Sequence, residues 1–318
     1  MGDGINHADA LPPLLARSSV VLFGDSLTQR GFEPGGWASA LAHHLGRRAD
    51  VYNRGYGGYN ARWASYLAPA LFPDPSGAPG RHLLVTVWFG ANDAADAGER
   101  AHVPLDEFAR RLERIVARAR RAARAVVVLT PPPVHGPTRL AYQRRRYGAR
   151  ATGVEERTTA RALDYGAEAA RVARAAGAHV VDVGRLMVAD DGWPAYVGAG
   201  DADGDGLHLS AAGQRFVADA LIGALPGLGL DRDGLAYDLP WGFEVDAADP
   251  ETSLARHFAA HGGRLAAGDG VPARGAPPAG SLLDRVLTAP AATTFLLGLA
   301  LGAYAVLLRG RRRAFRGA

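Results

Sequence analysis

Short apolar runs rich in β-branched residues recur at 19–23, 49–52, 83–88, 125–129 and 179–183, and they constrain this chain more than any other feature. Helix-like stretches lie between or after them at 37–45, 105–123, about 155–176 and 211–225. Strands that alternate with helices predict a parallel sheet covered on both faces. The run Val126-Val127-Val128-Leu129 is continuously apolar rather than alternating, as in strands buried on both sides. In the stretch 105–123, Phe108, Leu112, Ile115 and Val116 form one apolar stripe, while Arg110, Arg111, Arg114, Arg118 and Arg121 share the other face. A chain of 318 residues is long enough to bury a full core around such a sheet.

Composition removes several function classes. The chain has no cysteine, which excludes disulfide frameworks, thiolate zinc sites and cysteine nucleophiles. All its basic side chains other than histidine are arginine, and the formal net charge is +4. Arg309, Arg311, Arg312, Arg313 and Arg316 more than account for that charge, so everything before them is close to neutral. The basic character therefore belongs to a tail, and no nucleic-acid partner is expected.

In a sheet of this kind the ligand site lies beyond the C-terminal ends of the strands. Gly24-Asp25-Ser26-Leu27 leaves the first strand there, residues 53–60 leave the second, and Gly90-Ala91-Asn92-Asp93 leaves the third. Asp205 and His208 follow the fifth. A hydroxyl at a strand end and a carboxylate three residues before an imidazole are the parts of an activated serine nucleophile. Ser26 is the candidate nucleophile, His208 the base and Asp205 the group that orients it. Gly58 and Ser26 can offer backbone N–H groups and Asn92 a side-chain amide to an oxyanion. Trp37, Tyr59, Trp63, Phe89 and His135 are expected to line the substrate pocket, on their nearness to these segments alone.

Each piece has a plainer reading: Ser26 as a helix cap, the glycines and Asn92-Asp93 as turns. Their order at successive strand ends favours catalysis. No metal is expected. The stretch 201–206 imitates the start of a calcium loop, but Ala212 stands where the loop needs a glutamate. His43-His44 lack metal-ligand spacing. The absence of a Gly-x-Ser-x-Gly elbow disfavours the ordinary α/β-hydrolase fold.

These residues resemble the GDSL, or SGNH, serine hydrolases, whose four hallmark residues match Ser26, Gly58, Asn92 and His208. More narrowly, residues 23–29, Asn53-Arg54-Gly55, residues 58–63, residues 89–93 and residues 205–210 are similar to the isoamyl acetate-hydrolysing esterase branch. The resemblance covers 19–225 and implies a flavodoxin-like three-layer α/β/α sandwich with a five-stranded parallel sheet. It also implies no cofactor and short-chain carboxylic esters as substrates. Gly57 departs from the family, where a serine is more usual.

Outside that domain, 1–18 reads as an N-terminal extension, 226–261 as an extension packing on the domain, and 262–288 as a Gly/Ala/Pro linker. Residues 289–308 carry no charge, and at about 1.5 Å per residue they span roughly the 30 Å of a bilayer's hydrocarbon core. The arginines of 309–318 would then meet lipid headgroups, and Gly298 with Gly302 would permit a homodimer contact in the membrane. The alternative is a buried C-terminal helix. The expectation is a tail anchor with the catalytic domain in the cytosol, although the positive-inside rule argues for the opposite orientation. Two other functions stay open: a lysophospholipase, acyl-chain hydrolase or transacylase held beside lipid, and a catalytically silent membrane adaptor. The long connection 131–157 is expected to wall or cover the site.

Overall fold

The structure, a computed structural model, describes residues 17–73, 82–237 and 239–260. They fall almost wholly in one compact unit, Met1–His257; of the second unit, Phe258–Ala318, only residues 258–260 are described. The segment 289–308, Gly298, Gly302, the basic tail and most of the N-terminal extension lie outside the described residues. Among the described residues, no helix is long and apolar enough to cross a membrane.

Five strands form one sheet: β1 (Ser18–Gly24), β2 (Ala49–Gly55), β3 (His82–Trp88), β4 (Ala123–Leu129) and β5 (His179–Val181). Every pairing is parallel and the order is β2-β1-β3-β4-β5, so β1 sits where the strand order reverses. The helices are α1 (Ser26–Gln29), α2 (Trp37–His44), α3 (Ala61–Leu71), α4 (Leu105–Ala122), α5 (Gly136–Tyr147), α6 (Thr159–Ala175), α7 (Val183–Val188), α8 (Ala211–Ala224) and α9 (Pro250–Ala260).

Because side chains alternate along a strand, β1 feeds two separate cores. Val21 and Phe23 pack with Phe72, Phe89, Phe108 and Leu112, under the layer of α3, α4 and α6. Val20 and Leu22 pack with Trp37, Leu41, Trp88 and Leu221, under α2 and α8. This is the expected three-layer arrangement. The apolar stripe of α4 is buried as its periodicity requires.

Several boundaries differ from the sequence reading, each for a local reason. Residues 61–71 form α3, whose buried side is only Ala61, Ala64 and Ala68, too small to read as an apolar stripe. The expected helix from about 155 begins at Thr159 because the Thr158 side chain caps it, accepting from Arg161 N–H. Glu156 and Arg157 are thereby left outside the helix, in a bend. The last strand ends at Val181 because Asp182 caps α7. The connection 131–157 contains α5, which its run of arginines conceals. The C-terminal extension is held to the domain by arginines of the α2–β2 turn. Arg47 donates to the carbonyls of Leu239 and Pro240, and its guanidinium lies 4.1 Å from the Trp241 ring centroid. Arg48 donates to the Leu235 carbonyl.

Phe23 meets Phe89 and Phe72 edge-on, with centroids 5.0 and 5.8 Å apart. Phe23→Ala leaves a cavity at the centre of that cluster and is expected to cost about 3–5 kcal/mol, measured by denaturant unfolding.

Candidate active site

Strand β1 delivers Ser26. Beyond Gly24, the Asp25 N–H donates to the Trp88 carbonyl, and the Asp25 side chain caps α1 by accepting from Leu27 N–H at 2.9 Å. Ser26 is therefore the first residue of a helix whose start is buried, and its side chain is half-buried beside the sheet edge. A Cβ on Gly55 would stand 2.0 Å from the Gln29 backbone nitrogen. Only glycine lets α1 rest this closely on the end of β2.

His208 reaches Ser26 from a loop far along the chain. Its Nε2 lies 2.8 Å from Ser26 Oγ, and its Nδ1 lies 2.6 Å from Asp205 Oδ2. The other Asp205 oxygen accepts the N–H groups of Leu207 at 3.0 Å and His208 at 2.8 Å. That turn fixes carboxylate and imidazole relative to each other, and buried Leu207 and Leu209 seat it. Burial raises the Asp205 pKa, but the His208 hydrogen bond and charge and the two N–H donors outweigh it, holding the carboxyl below its usual range.

The turn after β2 lies against Ser26. Gly57 N–H donates to Gln29 Oε1 at 2.7 Å, and a Cβ on Gly57 would lie 3.8 Å from that of Ser26. Gly58 follows at φ +78°, a left-handed conformation in which an L side chain is strained, with open space around it. Asn92, buried at the end of β3, donates one N–H of its amide to the Tyr59 carbonyl at 2.9 Å. Its second N–H remains for a ligand. Asp93 accepts from Ala61 N–H at 2.8 Å, and Asn60 caps α3 by accepting from Trp63 N–H at 2.9 Å. Both contacts fix the turn that carries Gly58.

Two of these residues are fully buried acids. Burial pushes the Asp25 carboxyl up to about 7, against the pull of Leu27 N–H. It pushes Asp93 up to about 8, against the pull of Ala61 N–H, and the charge of Asp25 adds to the rise. In each, one carboxyl oxygen has no hydrogen-bond partner.

The expected pocket walls divide. Trp37 and Phe89 are corrections: both are core residues, fully or almost fully buried. The Trp37 indole is turned inward to donate to the Leu27 carbonyl at 3.0 Å, and Phe89 packs on Phe23. Nearness in sequence did not reveal that Trp37, at the start of α2, and Phe89, just after β3, turn into the core. Tyr59 and Trp63 are half-buried and meet edge-on, with centroids 5.8 Å apart. His135 stands beside the other half of the site, its N–H donating to the Gly206 carbonyl at 2.9 Å and its ring edge-on to Trp193. Gln29, Trp193, Glu156 and Arg157 were missed. Gln29 closes the motif 23–29 but carried no assigned role there, the other three stand in no motif, and Arg157 is one of many arginines in its stretch.

A doubly covered parallel sheet with Asp205, His208 and Ser26 hydrogen-bonded in series at its strand ends defines a serine hydrolase of flavodoxin-like architecture. The chain belongs to the GDSL-like lipase/acylhydrolase family, whose profile matches residues 22–216. A GDSL esterase/lipase of Arabidopsis thaliana is 35% identical over 244 residues, which cover 75% of this chain and 98% of that protein. The isoamyl acetate-hydrolyzing esterase 1 homolog of Mus musculus is 35% identical over 243 residues, covering 74% of this chain and 91% of its own. Among solved structures, a lipase/acylhydrolase from Enterococcus faecalis shares the fold, with a TM-score of 0.50 at 21% identity, over 66% of this chain and 96% of that one.

Both buried acids bind their proton more tightly folded than unfolded, where the pKa is near 3.8. The stability they contribute is complete below the unfolded value and is lost as pH rises through about 7 and about 8. Thermal unfolding midpoints are expected to fall as pH rises from about 4 to about 8 and to level off above, and Asp25→Asn with Asp93→Asn to flatten that fall.

Proposed function

We propose that this carboxylic ester hydrolase cleaves short-chain esters through an acyl intermediate on Ser26. His208 is the general base, Asp205 orients it, and Ser26 N–H, Gly58 N–H and the Asn92 amide form the oxyanion hole. The observation that carries this reading is the unbroken series Asp205–His208–Ser26, with contacts of 2.6 and 2.8 Å. In this mechanism Ser26 Oγ attacks the ester carbonyl carbon while its proton passes to His208 Nε2. Asp205 stabilises the imidazolium, and the carbonyl oxygen carries negative charge against the three donors. Collapse breaks the bond to the alcohol oxygen, which takes the proton from His208. Water then repeats the sequence on the acyl-serine, releasing the acid and restoring Ser26. No cofactor enters any step.

The preference for short esters is supported by the isoamyl acetate-hydrolyzing activity named for the mouse relative. Tyr59 and Trp63 on one side, with His135 on the other, are the proposed pocket walls. The uncharged run 289–308, followed by arginines, favours a second element of the proposal on sequence alone. That element is attachment to a membrane, with long-chain lipid esters as alternative substrates.

Hydrolysis of p-nitrophenyl esters from acetate to palmitate by the full-length chain, in solution and in liposomes, tests both. Short-chain preference in both settings is the expected result; turnover of long chains only in liposomes would move the function to lipid esters. Ser26→Ala is expected to abolish turnover. Asn92→Ala should lower kcat by about 10²–10³-fold, the cost of one oxyanion donor.

A further inference from the structure

We propose that Arg157 is a positioning residue of the oxyanion hole, holding the Asn92 amide in the orientation that presents N–H rather than oxygen to the substrate. This rests on the catalytic reading of Ser26 and Asn92 above.

The guanidinium grips the loop after β3 at two points. Its Nε donates to the Ala91 carbonyl at 3.2 Å and its Nη2 to Asn92 Oδ1 at 3.4 Å. The side chain is 12% exposed, so these contacts form largely out of water, where they act more strongly. With Oδ1 held by Arg157 and one amide hydrogen by the Tyr59 carbonyl, the Asn92 amide is constrained at both ends. Turning it over would set its NH2 group against the guanidinium and offer an acceptor oxygen to a developing negative charge. Both consequences are repulsive. Arg157 thus selects the orientation in which the remaining N–H can donate.

The backbone that carries Arg157 is itself fixed. The Glu156 carbonyl accepts from Asp96 N–H at 2.9 Å, and the Thr159 hydroxyl donates to the Val134 carbonyl at 2.7 Å. The buried charge is paired, because Arg157 Nη1 donates to Glu156 Oε1 at 3.1 Å. The same Glu156 oxygen accepts from Arg139 Nε at 2.6 Å, and Gln143 donates to the other. Arg139 Nη1 in turn stands 3.8 Å from Asp205 Oδ2. One acid, Glu156, therefore joins an arginine beside the triad carboxylate to an arginine on the oxyanion donor.

Steady-state hydrolysis of p-nitrophenyl acetate by the full-length chain tests this, using Arg157→Gln, Arg157→Lys and Asn92→Ala alone and in combination. Lysine keeps the charge beside Glu156 but lacks the planar fork that reaches both Ala91 and Asn92, so it carries the test if the glutamine variant does not fold. The expected result is a loss in kcat on the order of 10²-fold with KM little changed. In the Asn92→Ala background the same Arg157 change should produce no further loss, which a merely structural role would not reproduce. Multiplicative losses in the double variant, or parental kcat in either Arg157 variant, would overturn the proposal. Undiminished turnover by Asn92→Ala alone would overturn the oxyanion assignment beneath it.

Discussion

The site depends on how strand β1 is held and how it ends. β1 has a paired neighbour on each edge and a packed helical layer on each face. A slip of one residue would exchange Val21 and Phe23 with Val20 and Leu22 between two differently shaped cores. The strand is therefore locked in register, and its last residues emerge at a defined point where the strand order reverses. There Asp25 is bonded through its N–H to β3 and through its side chain to α1. Ser26 inherits its position from both contacts.

Burying two carboxyl groups is unfavourable, and their raised pKa values express that cost. Each acid holds a backbone N–H at the start of a helix, Asp25 for α1 and Asp93 for α3. α1 begins with Ser26, and α3 follows directly on the turn that carries Gly58 and Tyr59. The stability given up is thus concentrated where the proposed nucleophile and oxyanion donors have to be placed. The arginine–glutamate cluster behind Asn92 follows the same logic with opposite charge. Buried guanidinium groups are tolerated because Glu156 is shared between them.

Much of this was legible in the residues. The apolar runs located all five strands to within a few residues; β1, β3 and β4 are buried on both faces and so continuously hydrophobic, while the edge strands β2 and β5 are partly exposed. Ser26, Gly58, Asn92, Asp205 and His208, the residues proposed for the site, each stand in a short motif, and the first three lie just beyond strand ends. Helix α3 was hidden because alanines can line a buried face without marking it. Trp37 and Phe89 were misplaced because an aromatic next to a motif can point either way, and the start of α2 and the end of β3 turned them inward.

The sequence by itself determined the alternation of strands and helices, the near-neutral body with its basic tail, and the proposed catalytic residue types in their order along the chain. It could do so because local periodicity and motif chemistry reside in neighbouring residues. Tertiary structure alone decided which aromatics are buried in the core and that Arg157 rather than another arginine meets Asn92. It also decided that Asp25 and Asp93 are buried deeply enough to hold their protons. Those outcomes depend on distances between segments remote in sequence and on the exclusion of water from the space between them, and neither is written in any local stretch of the chain.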